Sequence, residues 1–218
     1  MIARPWVVLL AAGRSQRFGG PKQLARIGHD SMLRRAVRCA IAIAPAGCVV
    51  VLGARAERLE KELAGLPARA VVNRNWRRGL ATSLSVGIGA LPRSATAALV
   101  MLADQSSLGP GDLALLVAAW RKQPASIVAT WAGGVLGPPA VFPRRLFAEL
   151  RRLRGDKGAR DLLRDPGRRT VGVELPRAAF DIDSPADAAR VRNAIARART
   201  PRSAQSSRAR RPRSSGGT

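Results

Sequence analysis

Three stretches of this chain are apolar without interruption: residues 6–12 (Trp-Val-Val-Leu-Leu-Ala-Ala), 48–52 (Cys-Val-Val-Val-Leu) and 97–103 (Ala-Ala-Leu-Val-Met-Leu-Ala). A strand with one wet face alternates apolar and polar positions, whereas a strand covered on both faces reads as a continuous run. All three are therefore expected as buried strands, the first stopped by Gly13 and the third running into Asp104. Shorter strand candidates lie at 69–72, 126–130, 139–142 and 171–174. Between them, apolar positions recur at helical spacing over 31–44, closed by Pro45, and over 110–121, opened by Pro110 near the first turn. Further helices are expected at 55–64, 81–91, 144–153, 158–164 and 185–198. Strands alternating with helices predict an α/β fold, a Rossmann-like three-layer sandwich with a mostly parallel sheet and helices on both faces.

The pattern stops before the end of the chain. Residues 199–218 hold six arginines and no acid, with Ser, Pro and Gly filling most of the rest. Such a segment cannot bury a core and reads as a disordered Arg/Ser-rich tail after a single domain over 1–198.

Composition changes this picture mainly by exclusion. The chain has one histidine, His29, in a polar Gly-His-Asp-Ser turn, which argues against a histidine zinc site and a Ser-His-Asp triad. Cys39 and Cys48 lack a metal or redox spacing and read as small buried apolar residues. No apolar run approaches membrane length, and the N-terminal run enters a glycine loop with no cleavage pattern, so a cytoplasmic location is expected. The net charge of +24 raises the question of a nucleic-acid partner. The arginines are spread along the chain, aromatics make up only 4% and tyrosine is absent, so a stacking platform for bases is not in evidence.

The candidate chemistry begins where the first strand ends. Gly13-Arg-Ser-Gln-Arg17-Phe-Gly-Gly-Pro-Lys22 follows it directly. In an open α/β sheet, ligands bind beyond the carboxyl ends of the strands. Glycines let backbone N–H groups approach a phosphate, and Arg17 and Lys22 add mobile positive charge. The loop is neither a Walker A motif nor GxGxxG, because the lysine follows a proline and no Ser or Thr comes after it. On its own it reads equally as a phosphate cradle or as a glycine turn with surface cations.

Leu10-Ala-Ala-Gly-x-Ser-x-Arg-Phe-Gly-x-x-Lys22 resembles the signature of the MobA-like nucleotidyltransferases, among them the molybdenum cofactor cytidylyltransferases. Four further segments fit in order. They are Asn73-Arg-Asn-Trp-Arg-Arg-Gly79 through Ser83, Met101-Leu-Ala-Asp104-Gln105, Gly155-Asp-Lys-Gly-Ala-Arg160 and Asp181-Ile-Asp183-Ser-Pro-Ala-Asp187. The match spans roughly residues 5–195 and leaves out the tail. One departure is Ser106, where the family often has proline after Asp-Gln.

The resemblance implies a sheet of the nucleotide-diphospho-sugar transferase type and transfer of CMP from CTP to the phosphate of molybdopterin, with release of pyrophosphate and use of Mg²⁺. It assigns Arg17, Lys22 and Asp104 to catalysis, and Leu10, Ala11, Ala12, Gly13, Asn73 and Ser83 to the nucleotide. Lys157 and Arg160 fall to the acceptor, and Asp104 and Asp183 to the metal. A molybdoenzyme or its accessory chaperone is the implied recipient. An acceptor phosphate is already anionic near neutral pH, so the reaction needs positioning and charge neutralisation rather than a strong base. Several residues keep a plainer alternative: Asp104 as the N-cap of the next helix, Asp181 and Asp183 as caps of the last one, Asn73 and Ser83 as turn residues, Lys157 and Arg160 as a solvated helix start. Ala12 favours CTP, since GTP-using relatives tend to have glycine there and a methyl narrows the pocket against a purine. GTP as donor, a sugar or alcohol phosphate as acceptor, and a basic nucleic-acid-binding protein remain the rival readings.

Overall fold

A computed structural model describes residues 5–15, 18–105, 107–179 and Asp187. Arg17, Ser106, Asp181, Asp183, the expected helix over 185–198 and the expected tail lie outside the described residues, Asp187 apart. The strands are β1 (Trp6–Leu10), β2 (Arg26–Ile27), β3 (Asp30–Ser31), β4 (Cys48–Leu52), β5 (Arg69–Val72), β6 (Ala97–Leu102), β7 (Ile127–Ala132), β8 (Val135–Pro143) and β9 (Thr170–Glu174). The α-helices are α1 (Met32–Ile43), α2 (Ala56–Glu60), α3 (Leu80–Gly89), α4 (Pro110–Lys122), α5 (Phe147–Arg152) and α6 (Arg160–Arg164).

Seven strands form one sheet in the order β5-β4-β1-β6-β8-β7-β9, and β2 pairs only with β3. All pairings in the large sheet are parallel except those of β8, which runs antiparallel to β6 and β7. The sheet is thus mostly parallel, as expected, with one reversed strand inside it. That reversal comes from the tight β7–β8 hairpin, where Gly133 and Gly134 both take positive φ between the paired residues Ala132 and Val135.

Alternation along the strands divides the core into two layers. Val7, Leu9, Val50, Leu52, Leu99 and Met101 face one side and meet α1 and α4 through Val37, Ala40, Leu113 and Leu116. Val8, Leu10, Val49, Val51, Ala98 and Val100 face the other and meet α3, α5 and α6 through Leu84, Leu150 and Leu163. Each fully buried leucine of this kind contributes roughly 1.5–3 kcal/mol. Gly87 brings α3 against the sheet: a Cβ there would lie 2.4 Å from Val8 Cγ1 and 2.9 Å from Val51 Cγ2.

Local signals explain the helix starts. The Ser31 hydroxyl accepts from Arg34 N–H at 3.1 Å, which caps α1. Before α4, Gly109 N–H donates to the Asp112 carboxylate at 2.8 Å and Pro110 occupies the first turn. Gly109, not Asp104, is therefore the N-cap of α4. The expected helix over 55–64 is α2 followed by a 3₁₀ turn at Lys61–Leu63, and that over 144–153 begins as a 3₁₀ turn at Arg144–Leu146.

Candidate nucleotide site

β1 lies between β4 and β6, so the chain leaves its two sides in opposite directions. A crevice opens at such a switch point, beyond the carboxyl ends of the strands. Here it is a cavity of about 480 Å³ walled by the loop from Leu10 to Ser15, by Lys22, Trp76, Leu80 and Ser83, and by Leu102 to Asp104.

The loop is fixed by its own backbone and by one buried side chain. Leu10 O accepts from Ala103 N–H at 3.1 Å, and Ala12 O from Ala54 N–H at 3.0 Å. The carboxamide of Gln23, 4% exposed, donates to Ala11 O at 3.3 Å and Gly13 O at 2.9 Å. Its oxygen accepts from the Ser15 hydroxyl at 3.0 Å. Gly53 packs beneath the loop, where a Cβ would come within 2.7 Å of Ala12 Cβ.

The 3₁₀ turn Lys22–Leu24 returns the chain to the strand ends and aims Lys22 across the cavity. Lys22 Nζ donates to Asp104 Oδ2 at 2.6 Å, with the two side chains 15% and 20% exposed. Eighty-two positions apart in sequence, the two charges meet because β1 and β6 are neighbours in the sheet. Asp104 Oδ1 is buried and has no hydrogen-bond partner among the described residues. An unsatisfied buried carboxylate oxygen is costly, and a cation is the natural partner for it. Gln105, also buried, steadies this corner: its oxygen accepts from Leu102 N–H at 3.2 Å and its amide donates to Pro138 O at 2.7 Å.

The second loop closes the opposite wall. Ser83 lines the cavity, and its hydroxyl accepts from Asn73 at 2.9 Å. Asn73 does not line it. Its amide is shared between Thr82 and Ser83, both at 2.9 Å, and its oxygen accepts from Asn75 N–H at 2.9 Å. The side chain expected to read the nucleotide therefore holds the loop that presents Ser83. Trp76 stands at the cavity edge between two guanidinium groups, Arg77 at 4.7 Å and Arg14 at 5.7 Å from its ring.

A second cavity of about 540 Å³ adjoins the first and shares Leu10, Leu80, Leu102 and Asp156 with it. Its floor is apolar, from Val100, Leu136 and Phe142, and Lys157, Arg160 and Arg164 stand along it. Lys157 and Arg160 are thus brought together, one cavity away from Lys22. Lys157 pairs with Asp161 at 3.7 Å, but both are about two-thirds exposed, so the pair adds little. The two loops interlock: Ala81 N–H donates to Gly155 O at 3.0 Å, and Gly79, at φ +107°, sits where a Cβ would lie 2.5 Å from that oxygen.

Neither cysteine belongs to the site. Burial pushes the Cys48 thiol up to about 12 and the Cys39 thiol upward as well, so both stay protonated near neutral pH. Among the described residues no cluster of three or more potential metal ligands occurs. No helix among them is long and apolar enough to cross a membrane.

Of the residues expected at the site, Leu10, Ala11, Ala12, Gly13, Lys22, Ser83 and Asp104 line one cavity. Gln23 and Gln105 carry no sequence signal of their own. Only the demand that buried loop carbonyls find donors points to residues of this kind.

Comparison with known proteins gives this arrangement a family. Over 202 residues the chain is 29% identical to the purine catabolism protein PucB of Bacillus subtilis, covering 86% of this chain and 96% of that one. Over 136 residues it is 34% identical to the 2-C-methyl-D-erythritol 4-phosphate cytidylyltransferase of Stenotrophomonas maltophilia, covering 59% and 57%. A structure of the Mycobacterium tuberculosis protein Rv0371c, solved in complex with manganese, superposes with a TM-score of 0.73 at 26% identity, covering 88% of this chain and 99% of that one. Residues 7–171 match the MobA-like NTP transferase domain, and the chain belongs to that family of nucleotidyltransferases.

Proposed function

We propose that this protein transfers CMP from CTP to the phosphate of molybdopterin cofactor. The observation that carries this reading is the Lys22–Asp104 pair, set at 2.6 Å on the mouth of the β1–β6 crevice. Beside it lies a second cavity flanked by cations. In the reaction an oxygen of the acceptor phosphate attacks the α-phosphorus of CTP. The bond from that phosphorus to the bridging α,β-oxygen breaks, and pyrophosphate leaves with the electron pair. The attacking oxygen is already anionic, so no base is required, in keeping with a site that contains no histidine.

Each residue then has a task. Lys22 follows the β- and γ-phosphates and, with Arg17, balances the charge that grows on the leaving group. The loop from Leu10 to Gly13 lies along the nucleotide, and Ser83 offers it a hydroxyl. Lys157 and Arg160 draw the acceptor phosphate toward the shared wall. Asp104, with one oxygen on Lys22 and the other buried without a described partner, fits a divalent cation, and Asp183 is the second ligand in this reading. Held there, Mg²⁺ would supply neutralisation of the triphosphate charge. The manganese complex of the Mycobacterium tuberculosis relative supports the use of a divalent ion.

Ala12, which lines the cavity, supports CTP over GTP in this reading, since GTP-using relatives tend to have glycine there. The cytidylyltransferase relative also supports a cytidine donor. A molybdoenzyme or its chaperone is the proposed recipient of the product. The test is mass spectrometry of the product formed from molybdopterin and Mg²⁺ with CTP, GTP, UTP or ATP offered together. A cytosine dinucleotide product is expected. A guanine dinucleotide would overturn the argument from Ala12, and no product with any nucleotide would overturn molybdopterin as acceptor.

A further inference from the structure

Resting on the nucleotidyl-transfer reading, we infer that Gln23 is the positioning residue that orients the phosphate loop, setting affinity for the triphosphate rather than for the base. The case rests on where the loop's carbonyl groups go. Leu10 O, Ala11 O, Ala12 O and Gly13 O are four successive carbonyls, and every one is committed to a donor within the protein. Neighbouring strands and the turn at Ala54 take two of them, and Gln23 alone takes the other two. A carbonyl turned into the cavity would oppose a phosphate oxygen dipole to charge. In a planar trans peptide, a carbonyl drawn one way sends the following N–H the other way. By holding Ala11 O and Gly13 O, Gln23 therefore turns the N–H groups of Ala12 and Arg14 away from itself, along a loop that lines the cavity. N–H groups presented in this way can donate to phosphate oxygens.

The third bond extends the device. Ser15 takes φ +58°, an uncommon conformation for a residue with a side chain. Its hydroxyl donates to Gln23 Oε1 at 3.0 Å, while its carbonyl accepts from Phe18 N–H at 3.1 Å. One buried carboxamide thus grips residues 11, 13 and 15 with both amide hydrogens and its oxygen. No other natural side chain of this length offers two donors and an acceptor without charge. Glutamate keeps the oxygen for Ser15 but sets a carboxylate against two carbonyls, and leucine fills the space with neither function.

Calorimetric titration of the full chain with Mg²⁺ present tests this, using CTP, inorganic tripolyphosphate and cytidine as probes. Gln23→Leu should weaken CTP and tripolyphosphate by a similar factor, about tenfold or more, and leave cytidine binding unchanged. Gln23→Glu should weaken both further at neutral pH and recover as the pH falls, when its carboxyl gains a proton to donate. Gln23→Leu and the wild type should show no such recovery. Unchanged tripolyphosphate affinity in both variants, with the wild type binding, would overturn the role of Gln23 alone. So would equal losses for cytidine and tripolyphosphate, because that marks general damage to the fold. A wild type that binds neither CTP nor tripolyphosphate would overturn the nucleotidyl-transfer reading, and the role of Gln23 with it.

Discussion

Across the wall formed by Leu10, Leu80, Leu102 and Asp156, the two cavities are built in different ways. On the first side, loop carbonyls, Gln23, Asn73 and Gln105 are held in hydrogen bonds within the protein. On the other side the floor is apolar and the cations are exposed, with Lys157 engaged only in a loose surface pair. Rigid donors suit a ligand whose charge must be met at fixed points, as a triphosphate's must be at the reacting phosphorus. An apolar floor with mobile cations suits a larger body that carries one phosphate. The contrast predicts that changes on the first side act mainly on turnover and nucleotide affinity, and changes on the second mainly on the acceptor.

The sharpest way to break the comparison is Lys22→Met, which keeps length and removes charge. It should lower kcat about 100-fold or more with the acceptor KM little changed. Steady-state kinetics with each substrate varied would check this, and a loss confined to acceptor KM would reverse the assignment of the two sides. Next comes Gly87→Ala. Its methyl meets Val8 and Val51, so α3 must shift off the sheet, at about 1–3 kcal/mol of stability. Thermal unfolding should show a lower Tm, and nucleotide KM should rise because α3 carries Leu80 and Ser83. A smaller effect is expected from Lys157→Ala with Arg160→Ala. Acceptor KM should rise several-fold while the Kd for CTP stays unchanged, a pattern that equilibrium titration separates from damage to the first cavity. The smallest concerns Cys39 and Cys48. Burial raises both thiol pKa values, so the protonated form persists to higher pH in the folded state than in the unfolded chain. Alkylation at pH 8 should be slow in the folded protein and fast in denaturant, as followed by mass.

The same division shows in what the sequence reveals. The runs at 6–12, 48–52 and 97–103 announce buried strands because both faces of the sheet are covered, and those strands place the loop and Asp104. The second side is harder to read. β8 contains Gly137-Pro138-Pro139, turn-forming residues of which the two prolines cannot donate to a ladder, and they hide the first half of a nine-residue strand. The register shift between Ala129 and Thr130 accommodates that stretch, and the Thr130 hydroxyl donates to Pro139 O at 2.9 Å. Strand expectations at 126–130 and 139–142 therefore mark both strands but miss the length and the direction of β8. Asn73 shows the limit for side chains. A polar residue beside a loop reads the same whether it meets the ligand or holds the residue that does; in the structure the Asn73 amide donates to Thr82 and Ser83.

The most direct measurement is the initial rate of pyrophosphate release from CTP and molybdopterin with Mg²⁺, comparing the wild type with Asp104→Ala. The account predicts CTP-dependent release by the wild type and a loss of roughly 100- to 1,000-fold in the variant, with the Tm nearly unchanged. Release at an undiminished rate from Asp104→Ala would contradict the placement of the reacting phosphates at the β1–β6 crevice.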